Sequence, residues 1–227
     1  MATLPRQCWL FVIGSSFFAA ATAPGFAAWA GAGAANVLCF VGSWFFTTAA
    51  WMQLRLSDSS KRAEWSSAAV QFAGTLLFNL STGAAVWAHA VSSERRYVWV
   101  PDATGSLAFL VSGALGMVAV TAVAGLIDLR SHDWLAGAVN LLGCIAFGVS
   151  AVAAFVRKTG VTEDEWLSNL GAFIGVLCFL VAALLELPRG AAARPVPPGS
   201  PAEEPARTPR RPPGSPRRRS TPRTTGE

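Results

Sequence analysis

"NLLGCIAFGVSAVAAF", Asn140–Phe155, runs without a charge or a proline. Gly143 and Phe147 stand four apart, and Ser150 and Ala151, seven and eight beyond the glycine, are both small. At about 100° per residue these positions gather within an arc of about 100° on one side of a helix. The remainder is apolar all round, and a helix with no polar face to offer water belongs inside lipid or a large core.

The same face returns five times. Gly14/Phe18, Gly42/Phe46, Gly74/Phe78, Gly105/Phe109 and Gly175/Phe179 repeat the Gly143/Phe147 pair. Seven and eight beyond each glycine stand Ala21/Thr22, Ala49/Ala50, Ser81/Thr82, Ser112/Gly113 and Ala182/Ala183, again all small. A bilayer core takes about 20 mostly apolar residues per helix. Runs of that length lie at about 8–30, 33–54, 65–90, 103–127, 134–156 and 166–187, one for each pair. Composition agrees, since 52% of the 227 residues are hydrophobic and only 14% charged, the profile of a membrane protein.

Connections between these runs are short, so consecutive helices should be antiparallel neighbours. The third run aligns without gaps on the fifth, with Trp65/Trp134, Gln71/Asn140, Gly74/Gly143, Phe78/Phe147 and Ser81/Ser150 in step, while Asn36 and Asn169 link the second and sixth. Likeness between helices of the same direction predicts three successive hairpins in parallel repeat. The expected fold is therefore all-α and polytopic, six transmembrane helices as three repeated antiparallel hairpins over residues 1–187, followed by a different kind of chain at 188–227.

In lipid, helices associate by close backbone approach across small residues. Each glycine leaves a groove that a neighbour's phenylalanine can fill, which makes the twelve Gly and Phe positions helix-packing residues. A sharper alternative has the six rings converging on a central apolar cavity for a lipid-like or neutral ligand.

The N-terminal run, with Arg6 ahead of it and "AAATA" before Pro24, has the outline of a signal peptide. Its Gly14/Phe18 pair predicts instead a retained helix, broken only at Pro24-Gly25. Cys8, Cys39, Cys144 and Cys178 all fall in apolar runs without paired spacing, as small hydrophobes do.

Orientation follows from the basic residues near helix ends. With the N-terminus inside, the inner side holds Arg6, Arg55, Lys61, Arg62, Arg130 and nine arginines between Arg189 and Arg223, against Arg95, Arg96, Arg157 and Lys158 outside. Both termini are thus expected in the cytoplasm, in the cell membrane, with most of the bias supplied by the tail; an odd number of helices would overturn it. The tail's nine arginines face Glu203, Glu204 and Glu227, and it has almost no large apolar side chain, which predicts disorder. It reads as a solubilising segment with "PPGSP" at Pro197–Pro201 and Pro212–Pro216. The alternative is attachment to the anionic inner leaflet at about 1 kcal/mol per basic residue, weakened by phosphorylation at Ser200, Thr208, Ser215 or Thr221. No aromatic residue interleaves the arginines to stack on bases, so nucleic acid is not an expected partner.

No ionisable residue lies mid-span, which argues against a proton pump or voltage sensor and leaves transport of neutral solutes open. The intramembrane amides are Asn36, Gln71, Asn79, Asn140 and Asn169. They bond neighbouring helices or, if Asn36, Asn79, Asn140 and Asn169 converge, hold a polar ligand, with Asn79 beside Phe78 the first choice. His89 and His132 fall on opposite sides and cannot share an ion. Asp128, His132 and Asp133 make at best a weak metal site, and Ser131 as a cap for the fifth helix explains them more simply. Thr162-Glu163-Asp164-Glu165 reads as a capping box opening the sixth helix. Trp65, Trp134, Trp166 and Trp99 stand at helix entrances as interfacial anchors. With no HExxH, GxSxG, P-loop or paired-cysteine pattern, neither cofactor, metal nor catalysis is expected.

"FVIGSSFF", "FVGSWFFTTAAWMQL", "FNLST", "WVPDATGSLAFLVS", "NLLGCIAFGVSAVAA" and "NLGAFIGVLCFLVAALLELP" together resemble the YrhK-like membrane proteins of bacteria over residues 9–188. The chain departs from that pattern where serine after the glycine becomes Thr75, Cys144 or Val176. The resemblance implies a bacterial inner-membrane protein of a family without an assigned activity. The expected function is non-catalytic, a membrane interaction or lipid-binding protein. The competing class is a carrier or pore for a small neutral solute, built on a path joining the four asparagines.

Overall fold

The structure, a computed structural model, describes residues 2–87, 90–157, 159 and 161–188. His89, Lys158 and the arginine tail from Arg189 onward lie outside the described residues, and with them the readings made of the tail. Long helices cover Leu4–Thr22 (α1), Ala32–Leu56 (α2), Arg62–Trp87 (α3), Val100–Ala124 (α4), His132–Ala153 (α5) and Glu165–Glu186 (α6). Phe26–Ala30 adds one short helical turn, and Val91–Ser93 leads through a wide π-helical turn, Glu94–Trp99, into α4. Helices α2 to α6, the fourth counted from Val91 to Val123, are long and apolar enough to cross a membrane. α1 is not among them, because Pro5, Arg6 and Gln7 occupy its first turn.

The first helix is shorter than its expected 8–30. It stops at Thr22 because Pro24 offers no N–H and pushes Ala23 out of the helical region, to ψ 135°. Gly25 at φ 85° and Gly31 at φ 87° then turn the chain into α2 through conformations that L side chains rarely adopt. α3 and α4 each begin three residues before their expected starts. Asp58 accepts the Ser60 N–H at 2.9 Å and closes the turn early, and Pro101 sits in the first turn of α4, where its missing N–H costs nothing.

Ser131 caps α5 as expected, accepting the Trp134 N–H at 3.2 Å. The capping box at Thr162 is not formed. Thr162 pairs with Val156 in an isolated antiparallel bridge, and α6 is capped instead by Asp164, which accepts the Leu167 N–H at 2.9 Å. Glu163 is taken up by Arg157, whose guanidinium grips it with two nitrogens and holds its carboxyl below the ordinary value of 4.5. A lowered folded value means the contact contributes fully above the ordinary range and is lost as the pH falls through that lowered value. The Glu163→Gln protein should accordingly lose the acid-dependent loosening of the pairing around this contact, read as exchange of the Arg157, Glu163 and Asp164 amides, which donate to Val161, Phe155 and Ala153, between pH 7 and pH 3.

Each helix packs most extensively against its hairpin partner, α1 on α2, α3 on α4 and α5 on α6, and contacts between α2 and α3, α4 and α5, and α6 and α1 close a ring. The hairpins are made by exchange of glycine and phenylalanine. A Cβ on Gly14 would lie 3.0 Å from the Gly42 carbonyl oxygen and 2.9 Å from the Phe46 ring; one on Gly42 would lie 3.1 Å from Gly14 O and 3.0 Å from the Phe18 ring. In the third hairpin a Cβ on Gly143 would meet Gly175 O and the Phe179 ring at 2.9 Å, and one on Gly175 would meet the Phe147 ring at 2.5 Å. The middle hairpin brings the Phe109 ring to 2.9 Å from the same point on Gly74. Only glycine leaves that room.

The residue after each glycine is buried as well, and Ser43 and Cys144 serve joints between hairpins. Ser15, Ser43, Thr75, Ser106, Cys144 and Val176 are at most 1% exposed. Thr82 on α3 donates to Ser43 on α2 at 3.1 Å, and Cys144 on α5 lies against Gly113 on α4. Outward faces carry Leu107, Val111 and Val118 on α4, Leu142, Ile145 and Val149 on α5, and Leu177, Val181 and Leu184 on α6, all exposed. The arrangement reverses that of a soluble bundle: small and hydroxyl side chains are buried with the phenylalanines, and branched aliphatics face out, where lipid makes their exposure free of cost.

The tryptophans divide. Trp65 and Trp166 are exposed at helix starts. Trp99 is not simply an anchor: its indole N–H donates to the Ala151 carbonyl at 2.9 Å and its ring meets Phe155 edge-on at 4.9 Å, which pins the π-helical turn to the end of α5. All four cysteines are free.

Candidate functional site: a polar vestibule floored by phenylalanine

The six phenylalanines of the repeated face meet one another. Phe18–Phe46, Phe78–Phe109 and Phe147–Phe179 touch within hairpins at ring-centre distances of 5.7, 5.9 and 5.3 Å. Phe18–Phe78, Phe46–Phe179, Phe78–Phe147 and Phe109–Phe179 touch between helices that are not ring neighbours, at 5.2, 6.1, 5.8 and 6.2 Å. All six are buried. The rings thus cross the bundle axis and fill it at that level, in the edge-on and offset geometries aromatic pairs prefer.

On the N-terminal side of this cluster the ring of helices opens into a cavity of about 660 Å³, with Phe46 and Phe179 in its floor and Phe11 in its wall. That volume suits a small molecule. Its walls are polar in a way the floor is not: Gln7 from α1, Gln53 from α2, Ser67 and Gln71 from α3, Asn140 from α5. Leu56, Ser57 and Ser131 at helix ends, with Glu64, Asp133 and Glu186, bring it to the end of the bundle. Phe46 to Gln53 and Phe179 to Glu186 are each seven residues, so floor and mouth lie about 10 Å apart along the helices.

Several of these amides lack partners. Gln7 is only 4% exposed, and its side chain makes no hydrogen bond within the described residues. Gln53 Oε1 is buried without a partner. Gln71 lies 2.9 Å from the Ser112 hydroxyl through its oxygen, which leaves its NH₂ free. A buried polar group without a partner costs about 1–3 kcal/mol, so three amides about one cavity are better explained by something the cavity holds, water or solute, than by packing.

The four candidate asparagines do not converge. Asn36 donates to Ala85 O at 3.0 Å, tying α2 to α3 at the far end. Asn79 donates to the Thr47 hydroxyl at 2.7 Å beyond the phenylalanine layer, its own oxygen buried without a partner. Asn169 is exposed near the start of α6. Asn140 alone lines the vestibule, its NH₂ 3.9 Å from Cys144 Sγ. No continuous path joins them, because the phenylalanine layer stands between Asn140 and the rest. Of Asp128, His132 and Asp133, Asp128 is engaged locally, accepting the Arg130 N–H at 3.0 Å, and Asp133 lines the vestibule. Among the described residues no three His, Cys, Asp or Glu side chains are placed to hold a metal ion.

Gln7 and Gln53 carry no signal when each helix is read alone. Antiparallel packing supplies it: residues that precede the glycine on α1, α3 and α5 reach the same end as residues that follow the phenylalanine on α2 and α6. Gln7, Gln71 and Asn140 belong to the first group, Gln53 and Glu186 to the second.

A second hollow, of about 760 Å³, lies on the outer surface between α1 and α2. It is lined by Arg6, Arg55, Trp9, Trp51, Leu10 and Ile13 among others, with the Arg55 guanidinium 5.7 Å from the Trp51 ring centre.

The chain matches no protein-family model, no curated protein and no solved structure.

Proposed function

We propose that this is a non-catalytic, six-span protein of the bacterial cytoplasmic membrane, YrhK-like in kind, which admits a small solute to a one-sided vestibule and bars it at a phenylalanine layer, as a carrier or gated pore would. The observation that carries this reading is the cavity with Gln7 and the partnerless Gln53 oxygen in its wall, open at one end and shut by Phe46 and Phe179. Six spans rather than five are favoured by the place of α1: it packs between α2 and α6, and Phe18 joins the shared ring cluster, so it lies at the depth of the others. With six spans the basic residues put the vestibule mouth and both termini in the cytoplasm.

The test is access to water. In a chain whose four cysteines are replaced, Gln71→Cys should react with a membrane-impermeant thiol reagent at least tenfold faster than Thr82→Cys beyond the phenylalanines, and only from the cytoplasmic side. Equal protection of the two would end the vestibule reading.

The groove between α1 and α2 supports a second reading, lipid binding. Two arginines and two tryptophans at one helix end fit a phosphate headgroup and the interface beneath it. Native mass spectrometry should find anionic lipid retained by the intact protein and lost from Arg6→Gln/Arg55→Gln.

A further inference from the structure

We infer that the vestibule takes a small organic cation, an ammonium group on an apolar body, rather than a neutral or anionic solute. The inference rests on the vestibule reading and deepens it. Charged side chains lining the cavity are Glu64, Asp133 and Glu186, with no lysine, arginine or histidine among them. Glu64 is shared with Lys61 at 3.5 Å, so Asp133 and Glu186 carry the field at the mouth. Arg6, Arg55, Lys61, Arg62 and Arg130 stand at the same end of the bundle but outside this lining, so it is the cavity wall that is acidic, and a wall of one sign in a low-dielectric cleft concentrates counter-ions of the other.

Acids at a helix end would mean little alone. Beside Glu186 at the mouth, Gln53 presents a buried oxygen with no donor, and deeper in Gln7 is 4% exposed and turns a partnerless amide to the cavity. An ammonium group brings three donors and no acceptor, which matches orphaned carbonyl oxygens and carboxylates together. At the floor, Phe46 and Phe179 offer apolar surface to the rest of the ligand. The cavity is graded from acid at the mouth through amide to aromatic over about 10 Å, the polarity profile of an arylalkyl- or alkylammonium ion set head outward.

Three probes of one shape separate the possibilities: 2-phenylethylammonium, 2-phenylethanol and 3-phenylpropionate, titrated by calorimetry into the full chain in zwitterionic nanodiscs. The ammonium ion should bind at least tenfold tighter than the alcohol, and the carboxylate not measurably. Asp133→Asn/Glu186→Gln should bring the ammonium ion down to the alcohol's affinity, and Gln7→Leu should weaken both. If the alcohol binds as tightly as the ammonium ion, is untouched by the double substitution and is lost in Gln7→Leu, the vestibule stands and the cation is refuted. If none of the three binds, both the cation and the vestibule that it rests on fall.

Discussion

Gly143→Leu is expected to lower the melting temperature in detergent by about 6–12 °C or to prevent accumulation altogether. The first added carbon would stand 2.9 Å from the Gly175 carbonyl oxygen, a backbone atom that cannot swing aside as a side-chain tip can. The remaining carbons would then compete with the Phe179 ring for one site, 2.9 Å away. Overpacking of this kind costs about 3 kcal/mol or more, and in a chain of this size each kcal/mol moves the midpoint by about 2–4 °C. Gly148, one turn on from Gly143 but with open space where a Cβ would stand, is the matched control. Gly148→Leu should be neutral in the same scan, and an equal loss in both would show that leucine harms the helix rather than the contact.

Phe179→Ala is expected to have the largest effect on permeability. Its ring touches Phe46, Phe109 and Phe147 and forms part of the vestibule floor, so its removal extends the cavity into the phenylalanine layer. Proteoliposomes carrying the variant should swell in small polar solutes several-fold faster than those carrying the parent protein, measured by stopped-flow light scattering. Truncation of a buried phenylalanine also costs about 3–5 kcal/mol, and Phe72→Ala isolates that part. Phe72 packs on Trp51 at 5.3 Å, away from the floor, and should cost stability without raising flux. Equal leak in both would remove the phenylalanine layer as the barrier.

The bundle was legible because its signal is redundant. One Gly–Phe face, written six times, predicted which residues each helix turns inward, and each of those glycines and phenylalanines lies on the buried side. Boundaries were legible wherever a side chain competes for the backbone, as at Ser131, and were missed where a nearby segment had first claim. Thr162 looked like a cap until Val156 took its backbone, whereas the break read at Pro24-Gly25 is where the first helix ends. The site was less legible for a geometric reason. Asparagines at matching offsets in different helices drew attention, yet in an antiparallel bundle a fixed offset from the glycine alternates between the two ends. Asn36 and Asn169, both six residues before their glycines, share one end because α2 and α6 run the same way, while Asn140, three before its glycine on the oppositely directed α5, lines the vestibule at the other end, where Gln7 and Gln53 stand at unrelated offsets.

The ring of helices bears on how the chain is made. Each hairpin contains its own glycine–phenylalanine contacts, in both directions in the first and third and from Phe109 onto Gly74 in the second, so it can assemble as soon as its second helix leaves the ribosome. The contact between α6 and α1 joins the two helices furthest apart along the chain, and Phe179 is the last of the six rings in chain order. Without α6 the ring would lack one wall, leaving α1 and the polar vestibule lining uncovered on that side. Biogenesis therefore ends in a single closing event, and messages truncated before α6 should yield open intermediates that membrane quality control removes.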